Sequence, residues 1–146
     1  MIINKLSFDE LLKAGFDELS KMHNQELNPS VIHNPNYNQY LKMDELGILH
    51  CWGAFDDDEL VGYVIFFVMP HLHHQHLINA HEDLYFLRTD KRQGWNGYKL
   101  LKTAIDEMSE LADNIFLTIP RPSYRHLFER LGFRSYEQVF VKSDVI

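Results

Sequence analysis

Three consecutive β-rich runs in the middle of the chain constrain its fold more than any other feature. They are His50–Phe55, Leu60–Met69 and Leu77–Arg88, and only short polar turns separate them. Four acidic residues, Asp56–Glu59, form a solvated turn between the first two runs, which predicts a β-hairpin. Pro70 closes the second run. Connections this short suit antiparallel neighbours, so we expect a mostly antiparallel centre.

Helical patterns precede this centre. Met1–Leu6 predicts a short strand, and Ser7 with Glu10 forms a capping box at the start of a helix. The apolar positions of that helix keep a helical spacing up to Met22. They are Phe8, Leu11, Leu12, Phe16, Leu19 and Met22. The Asn- and Pro-rich stretch Asn24–Asn38 predicts a loop, and a second, shorter helix follows and ends near Gly47.

Helices and strands also alternate after the centre. Gly97 opens an amphipathic helix, and Asn114–Ile119 predicts a short strand. A further helix ends at Gly132, which suits a helix C-terminus, and Phe133–Lys142 predicts a final strand. The expected order is β-α-α-β-β-β-α-β-α-β. This order predicts an α/β fold, with a mixed, mostly antiparallel sheet flanked by helices.

Length and charge exclude several classes of protein. The chain has 146 residues, which predicts a single domain over residues 1–146. Its net charge of −7 argues against nucleic acid as a partner, because such binders carry a basic excess. No apolar run reaches the ~18–20 residues of a membrane helix. The N-terminus lacks a signal-peptide pattern, and the lone Cys51 reads as a buried small apolar residue, so we expect a cytoplasmic protein.

The strand–loop–helix unit Leu84–Met108 is the strongest local functional signal. Its loop contains Gly94 and Gly97 and leads into a helix, so free backbone N–H groups and the helix dipole can bind a pyrophosphate. Three cations in or beside the loop would add positive charge. They are Arg88, Lys91 and Arg92. The alternative is an ordinary surface loop with a glycine near the helix start.

Two segments of the chain resemble the GNAT family of N-acetyltransferases. Lys91–Leu101 (KRQGWNGYKLL) is similar to the family's acetyl-CoA signature, Arg/Gln-x-x-Gly-x-Gly/Ala followed by a Leu-Leu helix. Arg92 takes the first position and Gly97 the last, whereas Trp95 stands where the middle glycine usually is. Leu127–Phe133 (LFERLGF) resembles the family's Leu-Tyr-Glu-Lys-Leu-Gly-Phe segment, and the element order matches as well. The small size and the His-rich strand end resemble members encoded by tailed phages.

This resemblance implies a GNAT fold, acetyl-CoA as co-substrate and no metal. The family passes the pantetheine arm between its fourth and fifth strands and places the pyrophosphate at the start of the next helix. The implied product is an acetylated primary amine of a small molecule or peptide, formed by direct attack in a ternary complex. The residues that would bind the cofactor are Phe86, Leu87, Arg88, Arg92, Gln93, Gly94, Trp95, Asn96, Gly97, Tyr98 and Phe128.

A base must take a proton from the attacking amine. His81 and Asp83 are two residues apart, so they share a face if the strand is regular, while Glu82 points to the other face. The pair resembles the position of two histidines in arylalkylamine N-acetyltransferases. We therefore predict His81 and Asp83 as catalytic residues. The alternative is a pair of partly buried polar residues that bind each other.

The departing thiolate benefits from an acid. The family usually has Tyr at the position of Phe128, and a phenyl ring cannot donate a proton. Tyr124 lies one helical turn earlier on the same face, so it is the predicted substitute. There are two alternatives. Tyr124 packs in the core as an ordinary aromatic residue, or the reaction needs no acid.

Five of the nine histidines lie between His71 and His81. At most two side chains of the His71–His76 run share a face of an extended strand, so a closed zinc site is not expected. His71 and His73 are predicted to contact the acceptor, with simple surface exposure as the alternative. Tyr37 and Tyr40 are predicted on the same acceptor side, with packing against the sheet as the alternative.

Two rival functions stay open at this stage. The departures at Trp95 and Phe128 suit a GNAT-fold binding protein without transfer activity. The second rival function is acylation of a modified nucleobase, and the negative net charge of the chain argues against it. The space after Phe133 is short for the two strands that the family usually has there, so a strand supplied by a homodimer partner is a further alternative.

Overall fold

The computed structural model describes residues 1–118 and 120–146. Its strands are β1 (Ile2–Leu6), β2 (Leu49–Asp56), β3 (Glu59–Pro70), β4 (Ile78–Leu87) and β5 (Asn114–Phe116). Its α-helices are α1 (Phe8–Lys13), α2 (Phe16–Leu27), α3 (Tyr37–Glu45), α4 (Asn96–Leu111) and α5 (Arg125–Arg130). Short 3-10 turns at Thr89–Lys91 and Pro122–Tyr124 precede α4 and α5.

The strands form one sheet in the order β1-β2-β3-β4-β5. Neighbouring strands are antiparallel except β4 and β5, which are parallel and joined through α4. The predicted hairpin closes at Asp57 and Asp58, which both have positive φ. The α/β class and the mixed, mostly antiparallel sheet are therefore confirmed.

Helices cover both faces of the sheet, as expected. One buried cluster joins β2–β4 to α4 and α5, with Trp52, Phe66 and Leu101 among its largest members. The other joins the sheet to α1 and α2 through Phe8 and Phe16, and α3 packs against it. Cys51 is buried in this second cluster, as predicted.

The first predicted helix is in fact two helices. Ser7 caps α1, since its Oγ accepts the Glu10 N–H at 3.1 Å as the capping box requires. Gly15 then adopts a left-handed conformation with φ of 111° and separates α1 from α2. The apolar stripe continues across this break, because a bend at Gly15 keeps both segments on the same face of the sheet.

The predicted final strand is wrong: the described residues 133–142 contain no strand. A strand needs a neighbour for its main-chain groups, and β5 ends at Phe116, so it offers only three residues at the sheet edge. The side chains of residues 139–141 remain exposed. The strand predicted over Asn114–Ile119 is correspondingly shorter, and its last residue, Ile119, lies outside the described residues.

The sheet opens between β4 and β5. Their pairing covers only Asn79–His81 against Asn114–Phe116, whereas β4 continues to Leu87. A β-bulge lies at the same place, because Ile65 pairs with Leu84 and Phe66 with Glu82, which leaves Asp83 as an extra residue. The second half of β4 therefore faces a gap on its β5 side.

Close packing in the sheet makes a first testable prediction at Gly62. A Cβ there would lie 2.8 Å from Leu87 Cδ1 and 2.9 Å from the Phe86 carbonyl oxygen. The carbonyl belongs to the β3–β4 ladder and cannot yield, so Gly62→Ala should lower the free energy of unfolding by about 1–3 kcal/mol. Gly53→Ala is the matched control, because its close neighbours are side-chain ends that can move. Urea melts that show equal losses for both variants would contradict this account.

Candidate functional site

The loop before α4 presents free main-chain donors. Gly94 has φ of 65°, a left-handed conformation that favours glycine. Trp95 precedes the helix without a side-chain cap, and the first main-chain hydrogen bond there runs from Lys99 N–H to Trp95 O. The N–H groups of residues 96–98 therefore lack an intrahelical acceptor. The loop therefore presents main-chain donors at the place where the sequence predicts an anion site.

The three cations beside this loop are not free. Each is paired with at least one carboxylate, and the distances are 2.5–2.7 Å. The pairs are Arg88 with Glu59 and Asp90, Lys91 with Asp56, and Arg92 with Glu26. The sequence predicts that these cations add positive charge to the site; in the structure each also forms an ion pair, and the pairs tie the loop to neighbouring segments.

Glu26, at the end of α2, joins the two sides of the gap. Its carboxylate accepts two hydrogen bonds from the Arg92 guanidinium, at 2.6 and 2.7 Å, while Arg92 Nε donates to the Leu87 carbonyl. Arg121, beyond β5, lies 3.2 Å from the same carboxylate and also donates to the Glu26 carbonyl. The arginine pairing holds the pKa of Glu26 below its usual range. Glu26 thus ties α2 to both edges of the opening.

A cavity of about 450 Å³ lies beside the gap. Its walls come from α2, from the loop before α3, from Tyr40, and from the second half of β4. Two neighbouring carboxylates, Glu82 and Asp83, line it. Among its described lining residues there is no Lys or Arg, so the cavity has acidic character.

Glu82 is the carboxylate with the most altered acidity. Burial raises its pKa to about 7, and the Asp83 charge adds to this effect. The Thr118 N–H donates to Glu82 Oε2 at 3.1 Å, which opposes the shift and orients the side chain across the gap. A carboxyl group with a pKa near neutrality can accept and release protons under ordinary conditions.

Asp83 is held by a tyrosine. Tyr40 Oη donates to Asp83 Oδ2 at 2.5 Å. Burial raises the pKa of Asp83, and the Tyr40 hydrogen bond partly offsets it. The predicted acceptor-side residue Tyr40 therefore lies in the cavity wall. Tyr37 lies outside that wall, and its hydroxyl donates to Asp17.

The structure separates His81 from Asp83. His81 is exposed, and its ring stacks on Phe116 with centroids 4.6 Å apart. The expectation that alternate residues of β4 share a face fails at the bulge. Because Asp83 is an extra residue, Glu82 and Tyr85 lie on the same face although they are three residues apart. The expectation that Glu82 points away from the site is wrong, since Glu82 lines the cavity. The bulge arises from the pairing of β4 with β3, so the sequence of β4 alone does not predict it.

The aromatic residues near α5 pack in or against the core, and Tyr85 also lines the cavity. Phe128 is buried against Tyr124 and Phe133, so its side chain packs in the core. Tyr124 is half-buried and meets Tyr85 edge to face at 5.9 Å. Gly97 lies against Tyr85, since a Cβ at Gly97 would be 2.8 Å from Tyr85 Oη. Glycine there allows α4 to approach β4 closely.

The other predicted cofactor residues lie around the loop. Trp95 is exposed, with its ring against Tyr98 and below the Arg130 guanidinium. Gln93 is exposed, and Asn96 donates to the Lys91 carbonyl. Phe86 and Leu87 bury most of their side chains in opposite core clusters, and Phe86 also borders a surface cavity beside Glu26 and Arg92.

The histidine run forms the turn that joins the end of β3 to the start of β4. The His71 ring nitrogen accepts the N–H groups of His73 and His74, which fixes the connection between β3 and β4. The cavity is lined by residues 82–85, which include the bulge at Asp83. The structure therefore shows a turn-stabilising role for His71, and His73 is exposed there. Among the described residues, no group of three or more His, Cys, Asp or Glu could hold a metal ion.

Sequence reasoning missed a buried polar pair behind the cavity. His23 Nδ1 and Tyr63 Oη lie 2.8 Å apart, and burial lowers the pKa of His23 to about 4. Ser20 and His33 form a second pair at 2.8 Å in the cavity wall. The neutral His23 ring stacks on Phe86, so it supports the strand that borders the gap.

Comparison with known proteins identifies relatives over most of the chain. A model of the acetyltransferase (GNAT) family matches residues 10–133. A search among curated proteins finds no significant match. Within the described residues, every helix is too short or too polar to cross a membrane.

Solved acetyltransferase structures share the fold. A ribosomal-protein-alanine N-acetyltransferase from Brucella melitensis biovar Abortus 2308 is 20% identical with a TM-score of 0.71, covering 98% of this chain and 99% of that one. An aminoglycoside acetyltransferase from an uncultured soil metagenomic sample, in complex with sisomicin, is 17% identical with a TM-score of 0.73, covering 99% and 95%. A predicted acetyltransferase with acetyl-CoA from Clostridium acetobutylicum is 10% identical with a TM-score of 0.72, covering 97% and 95%.

The Glu26 bridge makes a second testable prediction. Glu26→Gln should lower the free energy of unfolding at neutral pH by about 1–2 kcal/mol, because it removes a partly buried carboxylate from two guanidinium groups. The pairing lowers the pKa of Glu26 in the folded state, so its contribution is present at neutral pH and lost as the pH falls below about 4. The difference between wild type and variant should fade over the same range in urea melts.

Glu18→Gln is the control for this experiment. Glu18 pairs with Lys21 on the exposed face of α2, so its loss should change stability by less than about 0.5 kcal/mol. A Glu26→Gln loss no larger than that of Glu18→Gln would show that the bridge does not stabilise the fold.

Proposed function

The chain belongs to the acetyltransferase (GNAT) family, and from this premise we propose that it moves an acetyl group from acetyl-CoA to a primary amine. The acceptor is a small molecule or a peptide, and the amine attacks the thioester directly in a ternary complex. One observation carries the proposal. The gap between β4 and β5 is bordered by free N–H groups of α4 on one side and by a carboxyl group with a near-neutral pKa on the other.

The main chain would do most of the work of binding the cofactor. The donors at the start of α4 suit a pyrophosphate, and the helix dipole adds to their effect. The neighbouring cations are already neutralised by carboxylates, so they contribute by fixing the loop. The unpaired edge of β4 beyond His81 offers further main-chain groups to the pantetheine arm.

We assign the base role to Glu82. Its carboxylate lines the acceptor cavity, and with a pKa of about 7 it can take the ammonium proton before the amine attacks. Asp83 sits beside it and is held by Tyr40, so it orients the amine and supplies negative charge. His81, on the exposed side of Phe116, is the weaker candidate.

The cavity favours an acceptor with positive charge. Its described lining combines two carboxylates with amide and hydroxyl groups, and it contains no Lys or Arg. An ammonium group binds well between carboxylates in a partly enclosed site. The acidic balance of the whole chain would also attract cationic acceptors over longer distances.

A GNAT-fold binding protein without transfer activity is the second candidate. The observation that favours it is the full pairing of Arg88, Lys91 and Arg92 with carboxylates. The two candidates differ in turnover: both bind the cofactor, and only the enzyme releases thiol. Acylation of a nucleobase has no such support.

The first test measures binding and turnover together. Acetyl-CoA and CoA at about 100 times Kd should stabilise the fold by about 2.7 kcal/mol, because they bind only the folded chain. This should raise Tm by a few degrees. Thiol release should then be faster with 1,4-diaminobutane than with butylamine, which lacks the second cation. If neither acetyl-CoA nor CoA changes Tm, the protein does not bind the cofactor. If they bind but no amine causes thiol release, the second candidate is favoured.

The second test separates the two base candidates. The kcat/KM of the wild type should rise with pH up to about 7, as Glu82 loses its proton. Glu82→Gln should lower kcat/KM by about 10²- to 10⁴-fold and abolish this rise. His81→Ala, the matched control, should leave both the rate and the profile unchanged. The opposite result, with His81→Ala removing the rise, would return the base role to His81.

A further inference from the structure

Trp95 presents an indole ring to solvent beside the start of α4. The chain has two tryptophans: Trp52 is buried in the core, whereas Trp95 is 63% exposed. Tryptophan side chains are mostly buried in folded proteins, because their large rings stabilise a core. The Trp95 ring contributes little burial to this fold, so its surface is available to a ligand.

Two neighbours hold this ring in a defined position. Tyr98, in the first turn of α4, meets it edge to face with centroids 5.4 Å apart. Arg130, at the end of α5, places its guanidinium Cζ 5.1 Å from the ring centroid. The indole is therefore held between α4 and α5, and a ring that is already ordered loses little freedom when a ligand binds.

Arg130 differs from the cations of the loop before α4. Each of those cations pairs with a carboxylate, whereas no carboxylate of the described residues pairs with Arg130. Its neighbour Glu129 lies 3.9 Å from Arg125 instead. A guanidinium group whose donors are unused can bind a phosphate. Trp95 and Arg130 thus combine a flat aromatic surface with a positive charge.

This pair lies at the end of the site where the proposed function places the pyrophosphate. The free N–H groups of residues 96–98 follow Trp95 directly in the chain, and the Trp95 ring lies against Tyr98. In coenzyme A, a single ribose joins the pyrophosphate to the adenine, and that ribose also carries the 3′-phosphate. A pyrophosphate bound at residues 96–98 therefore has its adenine and its 3′-phosphate within reach of Trp95 and Arg130.

We propose that Trp95 and Arg130 bind the adenosine end of the cofactor: the indole stacks on the adenine, and the guanidinium binds the ribose 3′-phosphate. This assignment rests on the transferase function proposed above. It gives a role to the residue that stands in place of a glycine in the loop. The acetyl donor is then the free coenzyme, because an acyl group carried on phosphopantetheine alone lacks the part that this pair binds.

Trp95→Ala tests the stacking by a comparison of two ligands. Calorimetric titration should show that its Kd for CoA rises about tenfold, the usual effect of removing an aromatic partner from one base. Its Kd for 4′-phosphopantetheine, which has no adenine, should stay that of the wild type. Trp95→Phe keeps an aromatic ring and should recover most of the affinity for CoA. An equal loss for both ligands would overturn the stacking, because it would show that Trp95 acts only on the shape of the loop.

Tyr136 provides the matched control. It is 64% exposed, and the Arg134 Cζ lies 5.6 Å from its ring centroid, so the two residues form an aromatic–arginine pair of the same kind. Its ring lies against Phe116 of β5 instead of the start of α4. Tyr136→Ala should therefore leave the Kd for CoA within about twofold of the wild type. A loss as large as that of Trp95→Ala would count against a site specific to Trp95.

Arg130→Gln tests the phosphate contact. It should raise the Kd for CoA several-fold and leave the Kd for 3′-dephospho-CoA unchanged, because that ligand lacks the phosphate that the guanidinium binds. Arg134→Gln is the control, since it removes the same charge beside Tyr136. An Arg130→Gln variant that weakens both ligands equally would remove the phosphate contact from the assignment.

The outcomes also separate this site from the transferase function. A wild-type protein that binds no CoA would remove both, whereas tight CoA binding that Trp95→Ala leaves unchanged would remove only the adenine site. If Trp95→Ala does not fold, the fluorescence of the wild type decides. CoA should quench the emission of the exposed Trp95, and 4′-phosphopantetheine should not, while Trp52 is buried away from both ligands. Equal effects of the two ligands on the emission would contradict the stacking.

Discussion

The short parallel pairing of β4 with β5 is the constraint on which the site depends. It covers three residue pairs and stops at His81, beside the bulge at Asp83. A regular ladder would fill the sheet edge and leave no room for a substrate. The early end of the pairing opens the gap, and the bulge turns two successive acidic side chains towards it. One irregularity in β4 therefore lies beside the opening of the sheet and directs two carboxylates towards it.

Paired charges hold the two sides of the opening. Glu26 holds Arg92 and Arg121 on either side of the gap, and Asp56 holds Lys91. These pairs fix the loop before α4 in the conformation that exposes its N–H groups. In the function that we propose, this backbone binds the pyrophosphate, and because it is already ordered it loses little entropy on binding.

Much of the fold could be predicted from the sequence because it depends on local patterns. The hairpin at Asp56–Glu59, the capping box at Ser7 and the glycine loop are set by neighbouring residues. The base that we propose, Glu82, could not be predicted in this way, because the parity of β4 depends on its register with β3, and the extra residue turns Glu82 towards the cavity. The last strand failed for a related reason: residues 133–142 have a strand-like composition, but the described sheet gives them no partner.

Burial acts on two ionisable groups beside the gap, the Glu82 carboxyl and the Tyr85 hydroxyl. It disfavours the charged form of both, so it raises the pKa of the Glu82 carboxyl and of the Tyr85 hydroxyl alike. For the carboxyl, this moves the pKa close to neutrality, where a base is most useful. For the phenol, it moves the pKa further from neutrality, so the proton stays available for a hydrogen bond. One partly desolvated gap therefore holds a carboxyl group that loses its proton near pH 7 and a phenol that keeps its proton there.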